Sequence, residues 1–385
     1  MTDLERIPVR SPASVAVFRR ILTHGPIGRV DIARATGLSQ AMITKAVTPL
    51  MAAGFVEESE FTRTENGVGR PISPLAVVRN RTYLAGIKVT ADRSYGVLTD
   101  LGADPLAQVE AGHANSGPDE VLRAMNQIAR ELRRRSPSGR LDGIGVAVSG
   151  DVDRAAGVVR DSPLLGWRSV PLRERLQALT GTPVTVENDV RALTLTENMF
   201  GAGRDAATLA VVTIGAGIGC GLFLNGRIVQ GAHGVSGEIG HLPLAPGDLV
   251  CTCGRRGCVE TVASTRAIVD RVRSAAGKAA LTIDDVFDLA RRGDPDAVAA
   301  FAAAGEMIGA ALAALVNLVG PELVIIAGES VTEYDLYADR LRATFAEHAF
   351  GAAIDCDIVL TPHTFNDWAR GAAVCVIEEM AGGSL

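Results

Sequence analysis

The chain is predicted to be an α/β protein: a small helix-turn-helix module followed by a larger body of alternating strands and helices. Three observations predict this. From Tyr83 onward, short apolar runs alternate with helical stretches, the pattern of an α/β fold. Before them, residues 13–53 read as helix, glycine-containing turn, helix. With 385 residues, 47% of them apolar, the chain has room for two or three domains and a sizeable core, which excludes a disordered protein.

The N-terminal elements follow from punctuation and period. A first helix, Ala13 to Thr23, stops at Gly25-Pro26. A second runs from about Arg29 to Thr36, and Gly37-Leu38-Ser39 forms a turn that places Ser39 as N-cap of a third helix, Gln40 to Ala53. Ile43, Val47, Leu50 and Met51 form one apolar stripe on that helix. Opposite them, Gln40, Thr44, Lys45 and Thr48, with Ser39 at the start, present side chains able to reach base edges or phosphates. Pro49 removes a backbone donor and is expected to kink or shorten the second half. A strand from Phe55 to Glu57, a polar tip from Thr62 to Gly69 and a returning strand from Pro74 to Val78 complete a winged helix. The tripeptide Gly69-Arg70-Pro71 can lay Arg70 into a minor groove. The alternative is three helices packed as a protein-interaction module.

Charge agrees with a polyanion as partner. Residues 1–80 carry a net charge of +3 within a chain whose total is −6.

In the body, the strand candidates are Leu84–Val89, Gly143–Val148, Val184–Val186, Leu209–Ile214 and Leu323–Ala327. The run Gly215 to Gly221 can either present N–H groups to an anion or form a tight hairpin. Glu187-Asn188-Asp189 ends one strand and opens a helix, where Asp189 reads either as a general base toward a hydroxyl or as part of a helix cap. The longest apolar stretch, Met307 to Gly320, is interrupted by Asn317 and reads as a buried helix rather than a bilayer span.

The tightest motif lies between His241 and Glu260: His-x9-Cys-x-Cys-Gly-x-x-Gly-Cys-x-Glu. His241, Cys251, Cys253 and Cys258 have the composition of a closed structural zinc site, with Gly254 and Gly257 allowing a tight loop around it. Unrelated loop thiols and a disulfide are the alternatives. The disulfide is the weaker, because Asp3, Glu5 and Arg6 open a chain with no apolar leader before residue 20. A cytoplasmic protein is expected. Ser236-Gly237-Glu238-Ile239-Gly240-His241 places Glu238 three residues before a metal ligand, which can hold that carboxylate rigidly.

Together these residues resemble the ROK family of repressors and sugar kinases, over about residues 12 to 380, and its repressor branch in particular. The resemblance implies a winged helix at 12–80 joined to a two-lobed, actin-like ATPase (sugar-kinase-like) body. Its first lobe is 82–195 with 366–385. The second is 196–365, with the zinc site and an oligomerisation surface. It implies sugar contacts at Asn188, Asp189, Glu238, His241 and Glu260, with the position of Asp189 serving as catalytic base in the kinases. Those kinases carry Gly-x-Asp-x-Gly-Gly-Thr on the first strand, whereas this chain has Gly86-Ile87-Lys88-Val89-Thr90-Ala91-Asp92. Side chains at both glycine positions block close approach to phosphate, and Asp92 repels it.

The expectation is therefore a non-catalytic, DNA-binding regulator of carbohydrate metabolism, a repressor holding structural zinc. Operator DNA and a sugar or sugar-phosphate effector are its partners, and a homodimer or homotetramer its assembly, away from membranes. The competing readings are an ATP-dependent sugar kinase with an appended DNA-binding domain, and a regulator controlled by a docking protein.

Overall fold

The computed structural model describes residues 3–59, 73–277 and 280–382. The chain forms two compact units, Met1–Ala192 with Asn366–Leu385, and Leu193–Phe365.

The first unit opens with three helices. Helix α1 (Pro12–His24) starts at Ser11, whose hydroxyl accepts from the Ser14 N–H while the Ser14 side chain accepts from the Ser11 N–H. Helix α2 (Arg29–Thr36) ends at Gly37, where φ is 68°. Helix α3 (Gln40–Ala52) begins at Ser39, whose hydroxyl accepts from the Met42 N–H at 3.3 Å. Val17, Phe18, Ile21, Ile32, Ile43, Val47 and Leu50 are buried between these helices.

Two expectations for α3 need correction. Met51 is 37% exposed rather than part of the buried stripe. Eight residues on from Ile43 it lies about 80° round the helix, and Ala46 fills the buried arc instead. Pro49 does not shorten the helix, which continues through it to Ala52. Its ring is exposed, and the carbonyl of exposed Lys45, four residues earlier, can bond to water. Strand β1 (Val56–Glu58) then pairs antiparallel with β2 (Leu75–Val77). The tip Thr62 to Gly69 and the tripeptide containing Arg70 lie outside the described residues.

The rest of this unit is built on a five-stranded sheet. It comprises β3 (Leu84–Val89), β4 (Arg93–Thr99), β5 (Pro105–Gly112), β6 (Gly143–Val148) and, after a small three-stranded sheet of β7 (Asp151–Asp153), β8 (Val158–Ser162) and β9 (Trp167–Val170), β10 (Val184–Asn188). The order is β10-β6-β3-β4-β5, with β10, β6 and β3 parallel and β4 and β5 antiparallel. Helices α4 (Pro118–Arg135) and α5 (Leu172–Thr180) share its apolar core through Val121, Met125, Ile128 and Leu176. The C-terminal helix, Phe365–Met380, crosses the sheet at two glycines. A Cβ on Gly86 would lie 1.8 Å from the Ala369 carbonyl oxygen, and one on Gly145 would lie 1.8 Å from that of Ala372. Only glycine permits that approach.

Helix α6 (Asp189–Phe200) leads into the second unit. There β11 (Thr208–Ile214), β12 (Ile218–Leu224), β13 (Arg227–Ile228), β14 (Leu323–Gly328) and β15 (Asp357–Pro362) form a sheet ordered β13-β12-β11-β14-β15. The glycine-rich run resolves as a tight hairpin, with Ile214 paired to Ile218. Asn225 and Gly226 turn the next hairpin with φ of 51° and 78°.

Helices α7 (Glu260–Ala263), α8 (Thr265–Ala276), α9 (Ile283–Arg291) and α11 (Ala338–His348) pack around α10 (Pro295–Val319). By length and composition alone α10 could cross a membrane, but Phe301, Ile308, Leu312 and Val316 place it in the core of this unit. The final element, α12 (Phe365–Met380), is the helix that crosses the first sheet.

Candidate functional site

His241, Cys251, Cys253 and Cys258 converge. One ligand atom from each lies within 4.8 Å of every other. The loop that carries them joins β13 to α7 and is knitted by backbone bonds: Ala245 N–H to Gly257 O at 2.9 Å, Cys251 N–H to Arg255 O at 2.8 Å, and Val259 N–H to Leu242 O at 3.1 Å. Gly254 and Gly257 take φ of 83° and 72°, the left-handed turns that fold the chain back on itself. Cys253 Sγ lies 3.8 Å from Cys258 Sγ, and Cys251 Sγ lies 3.8 Å from His241 Nδ1. Thiolates about 2.3 Å from a tetrahedral ion stand about 3.8 Å apart, so the spacing suits a metal and is far too long for a disulfide. Such a cluster could hold a metal ion.

The sugar positions implied by the resemblance divide between the units. Glu238, His241 and Glu260 belong to the second. Glu260 Oε1 accepts from the Ile218 N–H at 2.8 Å, and Oε2 lies 4.0 Å from His241 Nδ1. The thiols and Glu260 therefore face Nδ1; among the described residues Nε2 has no hydrogen-bonding partner. Glu238 is exposed, and the glycine before it is fixed, since a Cβ on Gly237 would meet the Cys220 carbonyl oxygen at 2.1 Å. Burial, with the Glu238 carboxylate adding to it, pushes the Cys220 thiol up to about 12, so it stays protonated and unreactive.

Asn188 and Asp189 belong to the first unit, at the junction of β10 and α6. Asn188 Oδ1 accepts from the Arg191 N–H at 3.1 Å, a helix cap, and its Nδ2 donates to the Gly150 carbonyl at 3.0 Å. Asp189 is 6% exposed. Its Oδ1 accepts from the Val190 N–H at 2.9 Å, and its Oδ2 accepts from the ammonium of Lys88. Lys88 is 5% exposed and also lies over the Trp368 ring, 5.0 Å from its centroid. Lys88 is therefore the counter-ion of Asp189.

Sequence reasoning missed this pair, and it missed the charges around it. Arg191 pairs with Glu187 at 3.1 Å, and Arg154 pairs with Glu187 at 3.3 Å and with Glu378. Burial pushes the Glu378 carboxyl above its ordinary range against the pull of Arg154. The substituted motif after Lys88 closes into a turn, with Thr90 N–H and Oγ1 both donating to the Arg93 carbonyl, at 2.9 and 2.8 Å. That turn has no Gly-Gly backbone to wrap a phosphate.

Ser39 at the cap and Gln40, Thr44, Lys45 and Thr48 on α3 are all exposed. Thr44 and Thr48 donate their hydroxyl protons back to the Gln40 and Thr44 carbonyls, at 3.0 and 2.8 Å, which turns their methyls and acceptor lone pairs outward. The Ser39 hydroxyl accepts at the cap, and Gln40 reaches the Arg29 carbonyl at 3.4 Å. Arg70 lies outside the described residues.

The profile of the ROK family matches residues 84–379. The chain belongs to the ROK family. Among its relatives is an N-acetylglucosamine repressor of Escherichia coli (strain CFT073), 31% identical over 85% of this chain and 82% of that one. A solved ROK family transcriptional regulator, described as a homologue of the E. coli Mlc protein, is 28% identical with a TM-score of 0.78, covering 96% of each chain. A ROK glucokinase from Streptomyces griseus, solved with glucose and AMPPNP, is 26% identical with a TM-score of 0.66. It is covered over 98% of its length but matches only 76% of this chain. This ROK protein therefore matches a regulator from end to end and a kinase only in part. Its fold is mixed α/β, and its three N-terminal helices and β-hairpin suit a winged helix.

Proposed function

We propose that this ROK protein is a cytoplasmic DNA-binding transcriptional repressor of carbohydrate metabolism, whose body holds a sugar or sugar phosphate without phosphorylating it. The observation that carries the reading is the capped helix α3, with Gln40, Thr44, Lys45 and Thr48 exposed and a buried apolar face, in a chain that matches a ROK regulator over 96% of its length. Residues 12–80 bind the operator through Ser39, Gln40, Thr44, Lys45, Thr48 and Arg70. Phosphate contacts set affinity and base contacts set sequence. The sugar-binding residues are Asn188 and Asp189 in the first lobe, 82–195 with 366–385, and Glu238, His241 and Glu260 in the second, 196–365. The metal is structural zinc on His241, Cys251, Cys253 and Cys258; the donor set and the 3.8 Å sulfur spacing support it. Zinc would tie the loop between β13 and α7 and fix His241 through Nδ1, leaving Nε2 for a ligand oxygen.

Two features support a body that binds without turnover. The Asp189 oxygens already accept from Lys88 and Val190, which leaves a poor base for a hydroxyl proton. The residues after Lys88 give phosphate neither backbone access nor positive charge. Symmetric helix-turn-helix regulators read paired half-sites, so a homodimer or homotetramer on an inverted-repeat operator is expected, with half-sites about one helical turn or a multiple apart.

The test is thermodynamic linkage. If the sugar regulates DNA binding, the operator must change sugar affinity by the same factor by which sugar changes operator affinity. Sugar titrations with and without operator DNA, selected from a random pool, measure it. Equal sugar affinities in the two titrations would show that the sugar is not the effector.

A further inference from the structure

The ammonium of Lys88 is buried, yet among the described residues Asp189 supplies its only oxygen acceptor, leaving two of its three N–H donors without one. Beside it, Trp368 is 5% exposed and its Nε1–H is a buried donor with no partner. Buried donors left unmatched are costly, and this pair sits beside the Asp189 carboxylate, where a neutral hydroxyl could both donate and accept. In this site both groups can donate to an oxygen acceptor placed between them.

Charge decides what kind of oxygen it takes. Lys88 and Asp189 sum to zero, and the neighbouring charges on β10, α6 and the segment after β7 also pair off: Arg191 with Glu187, and Arg154 with Glu187 and Glu378. A phosphate or carboxylate placed here gains from Lys88 about what it loses against Asp189, and it still pays to leave water. A hydroxyl carries no such penalty. It is donor and acceptor at once, so a single hydroxyl can donate to Asp189 and accept from Lys88.

We propose that the Lys88–Asp189 pair is a hydroxyl-reading site that selects an uncharged sugar and rejects sugars bearing phosphate or carboxylate at that position. This rests on the sugar-sensing reading above and narrows it. Lys88 is the specificity residue: it changes a proton-accepting site into one that both gives and takes a hydrogen bond.

The experiment is calorimetric titration of the full-length, zinc-loaded protein with matched pairs: glucose and glucose 6-phosphate, N-acetylglucosamine and its 6-phosphate, glucose and glucuronate. The neutral member of any pair that binds is expected to bind at least tenfold more tightly. Lys88→Met should weaken that sugar tenfold or more, because a charge-assisted bond is lost, and should reject the anions further. Asp189→Asn leaves the ammonium unbalanced and should invert the preference toward the anionic member, a reversal that a merely structural ion pair would not produce. The wild-type panel decides the matter even if a variant does not fold. Equal or tighter binding of the anionic sugars by the wild type overturns the proposal while leaving sugar sensing intact, as does an Asp189→Asn protein that keeps the neutral preference. Failure of every sugar of both kinds to bind removes the sensing reading itself, and this proposal with it.

Discussion

Replacing Cys258 by serine is the most direct perturbation of the proposed zinc site, because its sulfur is buried and lies 3.8 Å from Cys253 Sγ. The segment between β13 and α7 has little regular structure, a 3-10 turn at Ile239–His241 and an isolated bridge between Val250 and Arg256. Of its apolar side chains Ile239 and Val259 are buried in the core of the second unit, with Val229 and Leu242 packed against it. On the proposed reading, a metal adds a cross-link to the backbone bonds that already hold this loop. Cross-linking a loop of this size, residues 241 to 258, contributes about 3 kcal/mol through the unfolded chain alone. Each kcal/mol shifts the melting temperature of a unit of 150–250 residues by about 2–4 °C, so the variant should melt roughly 6–12 °C lower. The first unit has its own core and no ligand in the cluster, and its transition should stay where it was. Calorimetry of wild type, variant and chelator-treated wild type gives the melting data; plasma mass spectrometry gives the metal. One zinc per wild-type chain and a drop shared by variant and chelated protein are expected. Wild-type protein purified without chelators yet lacking zinc, or a Cys258→Ser variant with an unchanged transition, would refute the reasoning.

Three further outcomes are expected. Incubation with ATP, magnesium and a bound sugar should release no ADP above the sugar-free background; turnover at ordinary kinase rates of about 1–100 s⁻¹ would restore the enzyme reading. Gly145→Ala should destabilise the first unit by about 3 kcal/mol or more in urea unfolding, since its Cβ would meet the Ala372 carbonyl oxygen at 1.8 Å and backbone cannot swing away; a change under about 1 kcal/mol would mean that α12 can shift freely. Lys45→Ala should weaken binding to all DNA sequences alike and lower the salt slope by about 1, whereas Arg70→Ala should relax the preference for A·T-rich flanks; an unchanged salt slope in the first case would remove Lys45 from the interface.

What could be read from the sequence was what is local in the chain. The metal cluster draws all its ligands from residues 241–258, so spacing alone brought it out. The N-terminal helices announce themselves by Ser11, Ser39 and the glycines that end them, each acting within a few residues. Strands β3, β6 and β14 are buried on both faces and read as continuous apolar runs, and β3 and β6 fall on the residues expected. Strand β5 escaped because it is a mostly exposed edge with no clean alternation, its outward side mixing Leu106 with Gln108 and Glu110. Lys88 and Asp189 lie 101 residues apart, and sequence period carries no record of which charges face each other across a fold. Lys88 was noticed as a missing aspartate; its partner could be seen only once β3 and the start of α6 were side by side.

That partner changes what the loss of the aspartate means. Taken alone, a lost phosphate motif describes decay: a kinase that no longer works, with its remaining sugar contacts surviving as relics. A relic does not account for the lysine. An ammonium in a buried position costs several kcal/mol unless something compensates it, so an apolar or small residue would have ended catalysis more cheaply. Lysine also fills the space under Trp368 and satisfies one oxygen of Asp189, which would otherwise stand as an unpaired buried charge once no substrate is turned over. On the proposed reading, the substitution that would withdraw a base from catalysis also stabilises the carboxylate as a recognition group. A site that must bind a sugar and release it unchanged needs its polar groups held in place and chemically idle, and a carboxylate locked to an internal cation meets both needs.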